Sequence, residues 1–149
     1  MDINIDIMNK YPQKRLDKSW IQERITEDAV EWAKSFGEFL QQDDKRNRGT
    51  GPLTTSQIRK FFGELKRIQA DPIKYQEEIP MLKAKLAYAV GRDASSYRGV
   101  VQYKTKIKEF YEELELGIDY IRGVDKENFV RFVKLVESVV AYHKFYGGK

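Results

Sequence analysis

The sequence predicts an all-α fold, a single-domain bundle of about five helices with a partly extended N-terminal arm. Three observations carry this reading. Apolar residues recur at helical spacing in several separate stretches. No stretch alternates apolar and polar residues long enough to argue for a sheet. The chain has 149 residues, 41% hydrophobic and 34% charged, which suits one compact domain, since two would each be too small. Residues 1–25 are expected to form the arm and residues 26–149 the helical domain.

In the arm, apolar residues are sparse and Pro12 interrupts early, so at most a short helix is expected around Trp20 and Ile21, with Trp20 as its anchor. A helix begins at Thr26, with acids in the first turn where the helix dipole favours them, and Val30, Ala33, Phe36, Gly37 and Leu40 on one face. It should end near Gln42. The following DDKRNRGTGP has no periodicity and reads as a long, exposed, flexible loop. Thr54 and Gln57 then stand at capping-box spacing before a helix with Ile58, Phe61, Phe62, Leu65 and Ile68 on one face, stopped by Asp71-Pro72.

The third helix is expected from about Pro80 to Val90, capped by Gly91. It is apolar on nearly every side except Lys83 and Lys85, so it should run through the middle of the bundle. A fourth is read from about Ser96 to Ile121, through Tyr97, Val100, Val101 and Lys104, with a bend at Gly117. Asp125 caps the last, whose stripe is Phe129, Phe132, Val133, Val136, Val139 and Val140.

Composition excludes several chemistries. Cysteine is absent, which removes disulfides, thiolate catalysis and cysteine-ligated metals. With one histidine, a His-ligated zinc site is out of reach within one chain. No stretch has the roughly 18 uncharged residues of a membrane span, and the first residues carry acids where a secretory signal carries bases. A cytoplasmic protein without cofactor or metal is expected. His143 falls within the stripe of the last helix, so it reads as a buried or half-buried side chain satisfied by one hydrogen bond rather than as an acid or base. The carboxylate pairs Asp43-Asp44, Glu77-Glu78 and Glu112-Glu113 read as solvated faces, because adjacent residues on a helix point apart. No phosphate loop, dinucleotide fingerprint or nucleophile elbow is present, so no catalytic residues are assigned.

Binding signals concentrate on the helix that starts at Thr54. With Ile58 at the origin of a helical wheel, Arg59, Lys60, Lys66 and Arg67 fall between about 80° and 200°, together with Ser56 and Gly63. A glycine in mid-helix sacrifices roughly 1 kcal/mol of propensity relative to alanine. Either a partner backbone or another helix approaching closely would account for it. Upstream, Lys45, Arg46 and Arg48 sit where a flexible loop would close over a phosphate chain. Charge therefore gathers locally beyond the formal net +4. Spacing alone leaves the face open between solvated charge and nucleic-acid binding, and any such binding would be salt-dependent and without base reading. TTSQIRK also suggests a DNA recognition helix, but about eleven residues precede it where a helix-turn-helix has a turn of three to four.

The segments GPLTTSQIRKFFGELKRI, LKAKLAYAVGR and FVRFVKLVESVVAYHKFY, in this order, resemble the small-subunit family of type III-A CRISPR effector complexes, the Csm complex. The resemblance runs from about Pro52 to Tyr146 with gaps; the arm and the stretch from Asp93 to Val124 share only helical character and length. It implies an all-helical, non-catalytic subunit that stacks with other copies of itself into an inner filament facing guide RNA and target RNA. Backbone subunits and a large polymerase-like subunit are the implied protein partners. RNA-lining positions within the matching motifs are Arg59, Lys60, Lys66, Arg67, Lys85 and Arg92; Arg92 is equally a base at a helix C-terminus. Lys45, Arg46 and Arg48 join them only on electrostatic grounds.

Overall fold

The computed structural model describes residues 14–71, 75–123 and 125–149. Among these residues there are six α-helices: α1 (Lys18–Gln22), α2 (Glu27–Leu40), α3 (Thr55–Gln69), α4 (Tyr75–Asp93), α5 (Ile107–Tyr120) and α6 (Lys126–Phe145). A 3-10 turn (Lys45–Asn47) precedes α3, and a hairpin of β1 (Ala94–Tyr97) and β2 (Val100–Tyr103) separates α4 from α5. None of these helices is long and apolar enough to cross a membrane. Pro12 lies outside the described residues.

The middle of the bundle belongs to α6, not to α4. Helix α6 buries Phe129, Phe132, Val133, Leu135, Val136, Val139 and His143, a set wide enough to meet α1, α2, α3 and α5. By contrast, the apolar residues that α4 buries are, among its described side chains, the stripe of Ile79, Leu82 and Leu86, and the helix lies at the edge against α3 and α5. Its alanines are small enough to stay at the surface, and Met81 and Tyr88 are exposed. Helix α4 also starts at Tyr75 and passes through Pro80. The missing N–H there removes one helical hydrogen bond near the start without ending the helix. It continues beyond Gly91 to Asp93, so that glycine is not its cap.

The expected fourth helix loses its first part to the hairpin. Tyr97 pairs with Val100 and Ala94 with Tyr103 in antiparallel register. The two-residue turn has positive φ at both Arg98 (52°) and Gly99 (79°), the geometry that matches strand twist. Tyr97, Val100 and Val101 do lie at helical spacing, but β-branched and aromatic residues flanking Arg-Gly favour the hairpin. Its base is closed by Asp93, whose carboxylate accepts from the Thr105 backbone N–H (2.9 Å) and hydroxyl (3.0 Å). Helix α5 runs through Gly117 without ending. A Cβ there would stand 2.6 Å from Phe132 Cε1, so the glycine serves close packing of α5 on α6.

An aromatic ladder joins the layers: Trp20 to Trp32 (5.8 Å between centroids), Trp32 to Phe36 (5.6 Å), Phe36 to Phe110 (6.5 Å) and Phe110 to Phe61 (5.8 Å). Trp20 is thus buried where it anchors α1. Glu113 is not on a solvated face. Its side chain is 0% exposed and accepts from Arg15 Nε (2.5 Å), the Leu16 backbone N–H (2.6 Å) and Trp32 Nε1 (3.0 Å). The carboxylate ties the segment before α1 to α2 and α5, which satisfies an otherwise costly buried charge.

Candidate functional site

Helix α3 is fixed at its start by contacts from across the chain. The Thr54 hydroxyl accepts from the Gln57 N–H (3.1 Å) while Gln57 Oε1 accepts from the Thr54 N–H (2.9 Å), completing the capping box. The Leu53 N–H donates to the Leu40 carbonyl (2.7 Å), and the Thr55 N–H to the Lys149 backbone oxygen (2.7 Å). His143 is buried and its Nε2 donates to the Leu53 carbonyl (2.7 Å). Burial holds the imidazole below its ordinary pKa of 6.5, against the opposing effect of that hydrogen bond. The ring therefore braces α3 and is the satisfied core histidine expected from the wheel.

With Ile58, Phe61, Leu65 and Ile68 buried, Ser56, Arg59, Lys60, Gly63, Lys66 and Arg67 are all exposed, as the wheel requires. A Cβ on Gly63 would meet nothing within 4 Å. Among the described residues of this chain, no neighbouring helix explains that glycine.

The basic residues divide into two groups. Arg67 is held by Glu64 (2.9 Å) and Glu78 (3.0 Å), and Lys85 by Glu64 (2.6 Å) with Glu78 at 3.9 Å. These four side chains latch α3 to α4. The hydrogen bond from Lys85, then that from Arg67, lowers the Glu64 pKa, and the Glu64 and Glu78 hydrogen bonds raise that of Arg67. Among the described residues, no carboxylate lies within ion-pair distance of Arg59, Lys60, Lys66 or Arg92. Lys66 lies over the Phe62 ring (5.9 Å) and Arg92 over the Tyr88 ring (5.9 Å).

Beside this face, a groove of about 770 Å³ opens between α3 and α4. Ser56, Lys60 and Glu64 form one wall and Lys85, Tyr88 and Arg92 the other, over a floor of Phe61, Leu86, Ala89 and Ile107. Of the nine basic candidates, Lys60, Lys85 and Arg92 line it. Arg59, Lys66 and Arg67 stand on the adjoining ridge.

Lys45, Arg46 and Arg48 are exposed but line no part of the groove. Nor is their loop loose. The Lys106 side chain, only 2% exposed, reaches into it to pair with Asp44 (3.0 Å) and donate to the Gln42 (2.9 Å) and Thr50 (3.0 Å) carbonyls. The Gly51 N–H donates to the Lys104 carbonyl (2.8 Å), and Arg48 takes a left-handed φ of 61° inside this folded turn. Asp44 is consequently half-buried, not a member of a solvated pair.

Sequence reasoning did not single out Tyr88, which lines the groove. The available signal was its position three residues after Lys85 and four before Arg92, which places all three on one helical face. Lys106 gave no comparable signal, because its partners lie more than fifty residues away in the chain. Among the described residues no group of three or more His, Asp or Glu converges to hold a metal ion.

The family model described as Csm2 Type III-A matches residues 23–149, which include every candidate residue above. The chain is 32% identical over 111 residues to the CRISPR system Cms protein Csm2 of Streptococcus thermophilus, an overlap of 71% of this chain and 83% of that relative. No solved structure matches it.

Proposed function

The chain belongs to the Csm2 Type III-A family, and we propose that it serves as a non-catalytic small subunit of the type III-A CRISPR Csm complex, contacting RNA phosphates with the outer face of α3. The observation that carries the RNA contact is the row of Arg59, Lys60 and Lys66, without described carboxylate partners, around the open surface at Gly63. A phosphate chain can approach that backbone closely, and each cation offers a charge-assisted hydrogen bond. Arg67 and Lys85 contribute differently: their carboxylate partners must exchange for phosphate before they can bind it. Lys45, Arg46 and Arg48 supply attraction at longer range from the pinned loop.

In this reading guide RNA and target RNA are the ligands, and specificity resides in their base pairing while the protein meets backbone shape and charge. Other copies of the chain, the backbone subunits and the large polymerase-like subunit are its protein partners, and the complex works in the cytoplasm. A helix-turn-helix reading of duplex DNA is not favoured. Residues 41–54 separate α2 from α3, and the N-terminus of α3 is covered by the Lys149 backbone.

Fluorescence anisotropy of the full chain with labelled single-stranded RNA tests the proposal. Weak binding is expected, with log K falling by about 0.7 per phosphate contact for each unit of log salt. The double variant Arg59→Glu, Lys60→Glu should lose more than about tenfold in affinity, since two attractive phosphate contacts become repulsive. Unchanged affinity with a wild-type circular dichroism spectrum would remove the outer face of α3 as the RNA contact.

A further inference from the structure

Phosphate binding on the ridge leaves the groove beside it unexplained. A surface that meets only backbone charge needs neither an apolar floor nor an aromatic ring held out toward solvent. Tyr88 is 68% exposed, yet it lines the same groove as Phe61, Leu86 and Ala89. We propose that this groove receives one unstacked base of the bound RNA strand, its ring stacked on Tyr88 and its phosphate held between Lys60 and Arg92. The proposal rests on the reading of the α3 face as the RNA contact and names what the adjoining groove adds to it.

Size, charge and polarity support that occupant. The volume of about 770 Å³ lies within the roughly 300–1,000 Å³ of sites that hold small ligands, enough for one nucleotide. The acids that border the groove are already engaged: Glu64 by Lys85 and Arg67, Asp93 by Thr105. Lys60 on one wall and Arg92 on the other keep their charge available, so the groove complements an anion attached to a flat apolar ring. Arg92 already rests over Tyr88, and a guanidinium beside an aromatic platform adds a cation–π contact to a stacked base. Gln57 Nε2 donates to the Thr105 hydroxyl (3.1 Å), which ties that amide to the hairpin base. Binding should therefore tolerate any base. A fully paired duplex keeps its bases inside the stack and cannot fill the groove, so the occupant is single-stranded or locally unstacked.

The test uses the full chain and three RNAs of equal length: a single strand with one central 2-aminopurine, the same strand abasic at that position and its neighbours, and a complete duplex. The first should bind more tightly than the other two, with 2-aminopurine fluorescence quenched on binding. Tyr88→Ala should lose about 5- to 150-fold in affinity for the first RNA, the range for one base–aromatic stack, and little for the abasic strand. Tyr88→Phe should retain most of the affinity. Because the ring is exposed, neither change threatens the fold. Wild-type affinity in Tyr88→Ala, with undiminished fluorescence, overturns the base site; if Arg59→Glu still weakens binding, the α3 reading survives alone and the groove is left to a protein partner. Equal losses for intact and abasic RNA also overturn it. Failure of the wild type to bind any of the three RNAs overturns the α3 reading and this proposal together.

Discussion

Helix α3 meets the rest of the molecule differently on its two sides. Inward, Ile58, Phe61, Leu65 and Ile68 join a continuous core whose rings run from Trp20 to Phe110. Outward and toward α4, the connection beyond Phe61 and Leu86 is a surface latch of Glu64, Arg67, Glu78 and Lys85. Apolar burial stabilises at roughly 25 cal/mol per Å² whatever the salt, whereas partly exposed ion pairs contribute little and are screened. The fold is thus held from the inside, and the proposed RNA contact lies on the outer surface. If this division holds, changes inside should move stability and leave the RNA affinity of the folded protein alone, and changes outside should do the reverse.

The largest effect on the inner side belongs to Glu113→Ala. It strands two buried donors, the Leu16 N–H and Trp32 Nε1, and opens a cavity, for an expected loss of about 3–5 kcal/mol in urea unfolding. RNA affinity of the remaining folded protein should be unchanged. A loss below about 1 kcal/mol would mean that the segment around Leu16 stays docked without that carboxylate. Gly117→Ala comes next, at about 1–3 kcal/mol, because the added methyl must displace the Phe132 ring lying 2.6 Å away. Thermal and urea unfolding should both report it.

Most of the helical frame was legible because local signals and burial agree. The Thr54–Gln57 capping box, the Asp125 cap and the stripes of α3 and α6 appear in the structure where their spacing places them, as does that of α2 except at Val30, which is exposed while Ala29, Trp32 and Phe39 are buried beside Ala33, Phe36, Gly37 and Leu40. What was not legible depends on partners distant in sequence. Glu113 looks like half of a solvated pair until Arg15 and Trp32, about 98 and 81 residues away, supply its donors. The loop before α3 looks loose until Lys106 pins it. The apolar breadth of α4 suggested a central helix, yet alanines broaden an apolar face without requiring burial, and α6 holds the centre. At the candidate site the wheel grouped the basic residues correctly but could not show which of them a carboxylate already holds.

A pH effect divides the inner and outer sides again. Burial lowers the pKa of His143, so between its unfolded value of 6.5 and its lower folded value the unfolded chain binds more protons. Stability is fully present above pH 6.5 and falls as the pH drops through that window. Glu64 is lowered by its bonds to Lys85 and Arg67, so its contribution is present above 4.5 and is lost only as the pH falls below that value. Glu109, raised by burial, acts in the opposite sense from 4.5 upward. The difference in melting temperature between wild type and His143→Gln, followed from pH 7.5 to 5, isolates the imidazole. The wild type should lose relative stability on acidification; parallel curves would show that the His143 site does not discriminate against the charged ring.

The smallest stability change carries the sharpest contrast. Gly63→Ala adds the same methyl as Gly117→Ala but into open space, where, among the described residues, nothing beyond its own turns of helix lies within 4 Å. Removing the conformational freedom of a mid-helix glycine should then stabilise α3 by about 0.5–1 kcal/mol, the opposite sign to position 117. The longer Gly63→Gln should keep most of that gain, because glutamine is a good helix former and position 63 is exposed. If the glycine is there for an approaching phosphate chain, glutamine should also weaken single-stranded RNA binding in the anisotropy measurement while the melting temperature rises. A gain in stability with no loss of affinity would show that the strand does not pass over this turn, and would shift the contact toward Lys60 and the groove. A loss of stability at position 63 would instead mean that the outer face of α3 is packed, and the division between the two sides of the helix would fail.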